Sequence, residues 1–369
     1  MTPEVGLSVT EVNDRAEFVH LEKDWNALAD ASSAELFYRH QFLLTWLDNF
    51  AARLKWRILI ARNSQDKWVG ALALVERRVR LYGLPVRELS SASNAHSCRF
   101  DLLASDAEGS ADAFGQYLLK KDDWDLLRLA DVPEGGHGWK LHQYFQGRGL
   151  PVGVWSSLQS PFVPLPNQFD VLQARLNSKF RSNLRRRRKK LAEKGDITFD
   201  RLEGAQALSH GLEQGLALEC SGWKGKRGSA ILQSRDTYGF YAELARCSAY
   251  RGELSLYFLK LDGKPIAFHF GLSFDKNYLL LKPAYDETLN DCSPGQLLTE
   301  NVIRDCIERG FSQFDFLGPD MPWKRDWTGH LRPHYWLFVF RDSRKGRFLK
   351  NTKFKWMPWL KERVAEWKS

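Results

Sequence analysis

Residues 251–285, RGELSLYFLKLDGKPIAFHFGLSFDKNYLLLKPAY, and the segment that follows, DETLNDCSPGQLLTENVIRDCIERGFSQFDFLGPDMPWKRDW at 286–327, decide the fold. Residues 254–261 are rich in aliphatic and aromatic side chains, Asp262-Gly263 is a hairpin-turn pair, and 265–274 form a second apolar run, so a β-hairpin is expected. In its second strand a period of two puts Ile266, Phe268, Phe270 and Leu272 on one face and Ala267, His269 and Gly271 on the other. Residues 278–285 read as a third strand. Ser293-Pro294-Gly295 then opens a helix whose apolar stripe is Leu297, Leu298, Val302, Ile303, Cys306 and Ile307, and Gly310 closes it. A last strand at 311–317 leads into a loop carrying Asp320, Trp323, Lys324, Asp326 and Trp327.

A chain of 369 residues with 43% hydrophobic content can bury two cores, and neither composition nor charge argues for disorder. Residues 1–17 lack a basic start followed by an apolar stretch, and no run reaches the length of a membrane span. A cytoplasmic location is expected, with peripheral attachment to the inner membrane face open. The five cysteines are scattered without the close pairs of a zinc site, so reduced thiols and no metal are expected.

The net charge of +9 is concentrated in two places. Residues 179–194 hold nine basic side chains and one acidic, a sum of +8; residues 341–369 hold ten basic and three acidic, a sum of +7; the rest of the chain sums to −6. Leu172, Leu176, Phe180, Leu184 and Leu191 fall on one helical face, with Arg185, Arg186, Arg188 and Lys189 elsewhere, which predicts one long helix with a basic outer side. In the second segment Phe348, Phe354, Trp356, Met357, Trp359 and Trp367 alternate with lysines. That composition suits an element at an anionic membrane surface, and equally a tail that caps the core.

The two halves of the chain repeat one succession of elements without the short period of a solenoid. Phe37-Tyr38 precedes 57–61, 68–75, 100–103, a helix and 124–130; Phe240-Tyr241 precedes 254–261, 265–274, 278–285, a helix and 311–317. The fold class expected is therefore α/β (α+β), two tandem domains, each a mixed, mostly antiparallel sheet flanked by helices. The boundaries read as 1–165 for the first domain, 166–196 for a basic connecting helix, 197–340 for the second domain and 341–369 for the tail, with a Pro-rich link at 161–166. The first half has no counterpart of Ser-Pro-Gly before its helix, and its polar cluster at 90–96 reads as a turn or an acceptor contact.

In order and spacing, the Arg-Arg-x-x-x-Lys run within 179–195, Glu219-x-x-x-Trp223-Lys224-Gly225, Ser293-Pro294-Gly295 and the stretch from Phe314-Asp315-Phe316 to Trp327 resemble GNAT-type acyltransferases of the CelD/BcsL (BioF2-like) group. These are related to the FemAB peptidyltransferases with their two GNAT-like domains. The resemblance implies an acyl-CoA donor. Its thioester carbonyl would meet a backbone N–H of the strand at 278–285, and its pyrophosphate would meet Ser293, Gly295, Gln296 and Leu297 at the helix start, where unpaired N–H groups and the helix dipole favour an anion. The usual phosphate motif, Gln/Arg-x-x-Gly-x-Gly/Ala, is missing between Asp286 and Leu298. FemAB-like members take aminoacyl-tRNA instead.

Attack of an amine or hydroxyl on a thioester needs a base, an oxyanion donor and an acid for the leaving thiolate. His269 titrates near neutrality, although a core histidine fits its position equally. Glu219, on the apolar side of its helix, would gain basicity by burial or pair with an arginine. Lys324 matches the lysine that FemAB-like enzymes are thought to use against developing negative charge; a loop lysine on the surface is the plain alternative. Tyr285 and Asp286 close the oxyanion strand, where Asp286 also suits a turn cap. Trp223, Lys224, Asp320 and Trp323 are the expected substrate contacts, and Lys226 shares the glycine-rich loop at 222–228, which reads as a lid. The expected activity is acyl transfer to an amine or hydroxyl of an envelope precursor, a polysaccharide or a lipid amine. Two alternatives stand beside it: aminoacyl-tRNA-dependent peptidyl transfer with the arginine face on phosphates, and a binding-only adaptor for a membrane or nucleic acid.

Overall fold

The computed structural model of the protein describes residues 6–359; the side chains of Trp223 and Lys224, and with them their expected substrate contacts, lie outside the described residues, as does the tail beyond 359. Thirteen strands are described: β1 (Ser8–Val12), β2 (Lys55–Arg62), β3 (Trp68–Leu81), β4 (Leu84–Ser91), β5 (Leu103–Ala104), β6 (Leu126–Pro133), β7 (Val152–Pro164), β8 (Ile197–Glu203), β9 (Leu254–Leu261), β10 (Lys264–Phe274), β11 (Asn277–Tyr285), β12 (Gln313–Asp315) and β13 (Leu331–Phe340). The chain divides into two compact units. Unit 1 takes the described residues up to Leu158 and those from Pro333 onward; unit 2 is Gln159–Arg332.

The duplication is carried by strand pairing. In unit 1, β1–β2, β2–β3 and β3–β4 pair antiparallel, β4–β6 parallel and β6–β13 antiparallel. Unit 2 repeats the same signs in the same order, with β8–β9, β9–β10 and β10–β11 antiparallel, β11–β12 parallel and β12–β7 antiparallel. Each unit is a mixed, mostly antiparallel sheet with helices packed on it, the expected fold class. In both, a helix joins the two parallel strands: Ala107–Lys120 before β6 and Pro294–Glu308 before β12. A parallel pair needs such a crossover.

The boundaries differ from those read in the sequence. Residues 166–196 are no separate connector: Phe180, Leu184 and Leu191 are buried in the unit 2 core with Tyr257, Val302 and Trp327. Nor is the segment one helix. Phe169–Arg175 ends at an extended Leu176, and Ser178–Ala192 restarts with the Asn177 side chain accepting from the Lys179 N–H at 2.9 Å, a helix N-cap. β13, expected in the second domain, pairs with β6 through residues 334–340, and its Leu337 and Val339 enter the unit 1 core. In unit 1 the third strand is β4, not 100–103, of which only Leu103 extends into β5. The polar cluster after it is an ordered turn: the Ala130 N–H donates to Ser91 Oγ and the His96 N–H to Asn94 Oδ1.

The hairpin β9–β10 forms as expected, with Asp262 and Gly263 in the left-handed region at φ 50° and 78°. Phe268 packs on Gly215, where a Cβ would stand 2.3 Å from its ring, and Phe270 meets Tyr241 edge-on. On the opposite face, Gly271 leaves room for the buried Tyr278, whose hydroxyl would lie 2.1 Å from a Cβ there. That second face is covered as well, by the helix Pro294–Glu308.

Candidate active site

The site is built where two parallel strands separate. β11 pairs with β12 only from Asn277 to Leu279, after which no strand among the described residues continues on that edge. On its other edge β11 carries a bulge: Phe270 faces Lys282 and Gly271 faces Leu280, leaving Leu281 without an opposite residue. A bulge re-aims backbone groups and side chains, and residues 282–285 beyond it are half-buried rather than sealed.

The helix Pro294–Glu308 starts beside the end of β11. Ser293 turns the chain in the left-handed region (φ 46°, ψ 58°), and Pro294 supplies the fixed φ of a first helical position. Gly295 lies against the Tyr285 ring, 3.4 Å from where a Cβ would stand. The Gln296 side chain fastens the following loop to this helix start: its Nε2 donates to the Trp323 carbonyl at 3.0 Å and to Asp326 at 3.3 Å, and its Oε1 accepts from Trp327 Nε1 at 2.6 Å. Leu297 is buried below. Thus Tyr285, Gly295, Gln296 and Trp323 come together, as does Gly222, whose Cβ position lies 3.8 Å from the Tyr285 carbonyl oxygen.

His269 is 1% exposed, and burial lowers its pKa to about 3. Its Nε2 stands 3.5 Å from Thr299 Oγ1, one turn into the helix. A neutral, sealed imidazole does not serve as a base for a substrate amine near neutral pH, so this site residue is a core histidine. Glu219 is buried as expected, and its Oε2 accepts from the Ile231 backbone N–H at 3.0 Å. It holds the far end of the 222–231 segment in place. That segment is not an open loop: Trp223–Lys226 is a helical turn, Gly225 approaches the Cys220 carbonyl too closely for any Cβ, and Lys226 pairs with Glu287 at 2.7 Å.

Lys324 points inward. It is 5% exposed, and its ammonium donates to the carbonyls of Leu317 at 2.6 Å and Pro319 at 2.8 Å. Leu317 and Gly318 both have positive φ, 51° and 56°, so the lysine ties down the turn by which the chain leaves β12. Just before it, the buried Asp315 binds Arg332 and accepts from the Leu317 N–H. Asp286 caps the next turn, accepting from the Thr288 N–H and hydroxyl, and Asp320 pairs with Arg325 at 2.7 Å near the surface. Neither joins the Tyr285–Gln296 group. Sequence reading missed the side-chain role of Gln296, the Asp315–Arg332 pair and Asp326, whose carboxyl is raised by burial against the opposing pull of Arg187. Among the described residues no cluster of three or more His, Cys, Asp or Glu could hold a metal ion.

Residues 178–325 match the family of acetyltransferase (GNAT) domains. That match lies within unit 2. The chain is a transferase, which removes the binding-only reading. Among solved structures, FemX is similar over 89% of this chain and 96% of its own, with TM-score 0.56 and 12% identity. The C-terminal domain of a putative lysylphosphatidylglycerol synthetase from Agrobacterium fabrum is similar over 92% and 96%, with TM-score 0.52 and 13% identity. L-PGS from Bacillus licheniformis is similar over 90% and 96%, with TM-score 0.52 and 12% identity. At such identities the likeness is one of fold, and it spans both units. No curated protein sequence matches the chain.

Proposed function

We propose that the chain transfers an acyl group from a CoA thioester to an amine or hydroxyl of an envelope precursor, a lipid amine or a polysaccharide, at the inner face of a membrane. The observation that carries this reading is the parting of β11 from β12 after Leu279, beside a bulge and next to the glycine start of a long helix. The gap gives a thioester carbonyl access to backbone N–H groups of β11, and the helix start favours the donor's phosphates. The acceptor nitrogen or oxygen bonds to the carbonyl carbon, the C–S bond breaks, and the acceptor's proton is lost to solvent or to a base as the thiolate is protonated. Tyr285, at the end of β11 and over Gly295, is the residue best placed to give that proton. Gln296 and Lys324 act as positioning residues, through the loop they hold.

A second reading, aminoacyl transfer from tRNA, is favoured by the exposed Arg185, Arg186 and Lys189 on the outer side of the basic helix and by the missing phosphate motif. Thermal shifts with CoA, acetyl-CoA and a long-chain acyl-CoA, alongside mass spectrometry of ligands carried through purification, separate the two. The expected outcome is a rise in Tm with at least one CoA species, since a ligand at 100 times its Kd adds about 2.7 kcal/mol. No shift with any of the three and no CoA carried over would give the tRNA reading precedence.

A further inference from the structure

Unit 2 holds a cleft of about 590 Å³ between the start of the basic helix and residues 325–329. That volume lies within the range of small-ligand sites. Its walls carry four cations, Arg175, Lys179, Arg187 and Arg325, against one carboxylate, Asp326. Arg325 is already paired with Asp320, which leaves Arg175, Lys179 and Arg187 against Asp326, an excess of two positive charges. Below them lie the rings of Phe180 and Trp327, packed edge-to-face at 5.1 Å.

The break in the helix at Leu176 and Asn177 makes this arrangement. A continuous helix would run Arg175 and Lys179 along one rod; the extended Leu176 redirects the chain, and both still line the same cleft. From Asn177 onward, Lys179, Asn183 and Arg187 recur every four residues and share one face. The basic helix has no acidic residue in its first turn. Lysine there sits at the positive end of the dipole, an unfavourable placement that an anion in the cleft would offset.

We propose that this cleft binds a phosphate-bearing group, the phosphorylated end of the transferase's donor, with Arg175, Lys179 and Arg187 as its contacts; the assignment to a donor rests on the reading above. The cleft is joined to the helix start that begins the candidate active site, because its lining residues Asp326 and Trp327 both hydrogen-bond the Gln296 side chain. A phosphate held here would fix one end of a donor whose reactive end enters beside β11.

The test uses the full chain and two probes, adenosine 3′,5′-bisphosphate, which is the phosphorylated end of CoA, and a tRNA acceptor-stem minihelix. The variant is Arg175→Glu with Lys179→Glu. The control, Arg78→Glu with Arg80→Glu, makes the same charge change at two exposed arginines of β3 in unit 1. Loss of charge-assisted hydrogen bonds weakens binding by about tenfold or more in the variant, with the control within about twofold of wild type. Bisphosphate following this pattern identifies CoA as the source of the phosphate, and minihelix following it identifies tRNA. Equal losses in variant and control, or no binding of either probe to the wild type, overturn the site. Thiol release from acetyl-CoA keeps the two claims apart. Turnover with an unchanged donor KM in the variant sinks the cleft and leaves the acyltransferase, whereas the binding pattern without turnover of any thioester leaves the cleft and sinks the acyl-CoA donor.

Discussion

His269 lies on the face of β10 that the helix Pro294–Glu308 covers. Alternation along β10 puts it opposite the phenylalanines, and so it stands; alternation does not say that a helix closes over that face, because the covering residue Thr299 comes thirty positions later. The consequence is measurable. In the unfolded chain the imidazole titrates near 6.5, in the folded chain near 3. Between those values the unfolded state binds a proton that the folded state excludes, so its stability contribution is intact above about 6.5 and falls by about 1.4 kcal/mol per pH unit below it. Denaturant titrations at pH 7 and pH 5 are expected to show His269→Gln losing about 2 kcal/mol less than wild type over that interval, and the variant's pH–rate profile should keep its inflections. Equal slopes, or an inflection that vanishes with the histidine, would contradict the sealed position. Lys324 and Glu219 follow the same pattern: sequence marks them as charged groups in an apolar setting, and only the folded positions of their partners, the Leu317 and Pro319 carbonyls and the Ile231 N–H, show that they hold backbone.

Local signals sufficed for several elements. The Asp262-Gly263 turn, the alternation of β10 from Ala267 to Leu272 and the Ser-Pro-Gly start of the crossover helix each rest on residues within a few positions of one another, and each is found where the pattern puts it; Ile266, expected with the phenylalanines, falls at a register shift and joins Ala267 in the core under the crossover helix. The misses have two physical causes. Leu172, Leu176, Phe180 and Leu184 keep a four-residue spacing across the break at Asn177, so periodicity runs through an interruption that only the capping side chain reveals. β4 was missed because β3 continues to Leu81 in a stretch of arginines, and Tyr82-Gly83 turns the chain where no apolar run ends. Gly271 illustrates what a glycine inside a strand encodes. Its φ is not the constraint; the Tyr278 hydroxyl occupies the place of its Cβ, between layers that are both buried. Gly271→Ala is expected to cost about 1–3 kcal/mol by overpacking and to lower Tm by several degrees, whereas Gly271→Ala with Tyr278→Phe recovers part of that loss. If the single variant melts with wild type, the close approach of β10 and Tyr278 is not a constraint on the fold.

At the scale of the whole chain, pairing order explains why a duplication visible as architecture could not give its own boundaries. The final strand of unit 1 is β13, nearly two hundred residues after β6, and the last pairing strand of unit 2, the end of β7, precedes all its others. Pairing over such separations leaves no local mark in either strand. Charge segregation, by contrast, is legible at once, and the tail shows what it accompanies. Within the described residues Leu349 is buried and Phe354 packs on Phe338 and Phe340, anchoring the helix Arg344–Asn351 and the turn after it to unit 1. Asp125 adds to that anchor: burial works against its ionisation, but hydrogen bonds from Arg87 and Lys345 prevail and hold the carboxyl at about 2. The same stretch leaves Phe348, Trp356, Met357 and Trp359 exposed among lysines. An exposed aromatic pair, Phe348 and Trp356 at 5.6 Å, has no use in a cap, whereas at a lipid surface its apolar area is buried and each nearby cation gains about 1 kcal/mol from anionic headgroups. The full chain is therefore expected to sediment with phosphatidylglycerol-containing vesicles at low salt, to release as ionic strength screens the lysines, and to ignore neutral vesicles. Phe348→Ala with Trp356→Ala should abolish sedimentation with Tm unchanged, because the anchoring residues remain. Binding that survives the double variant would assign vesicle affinity to net charge alone and return the tail to a cap on unit 1.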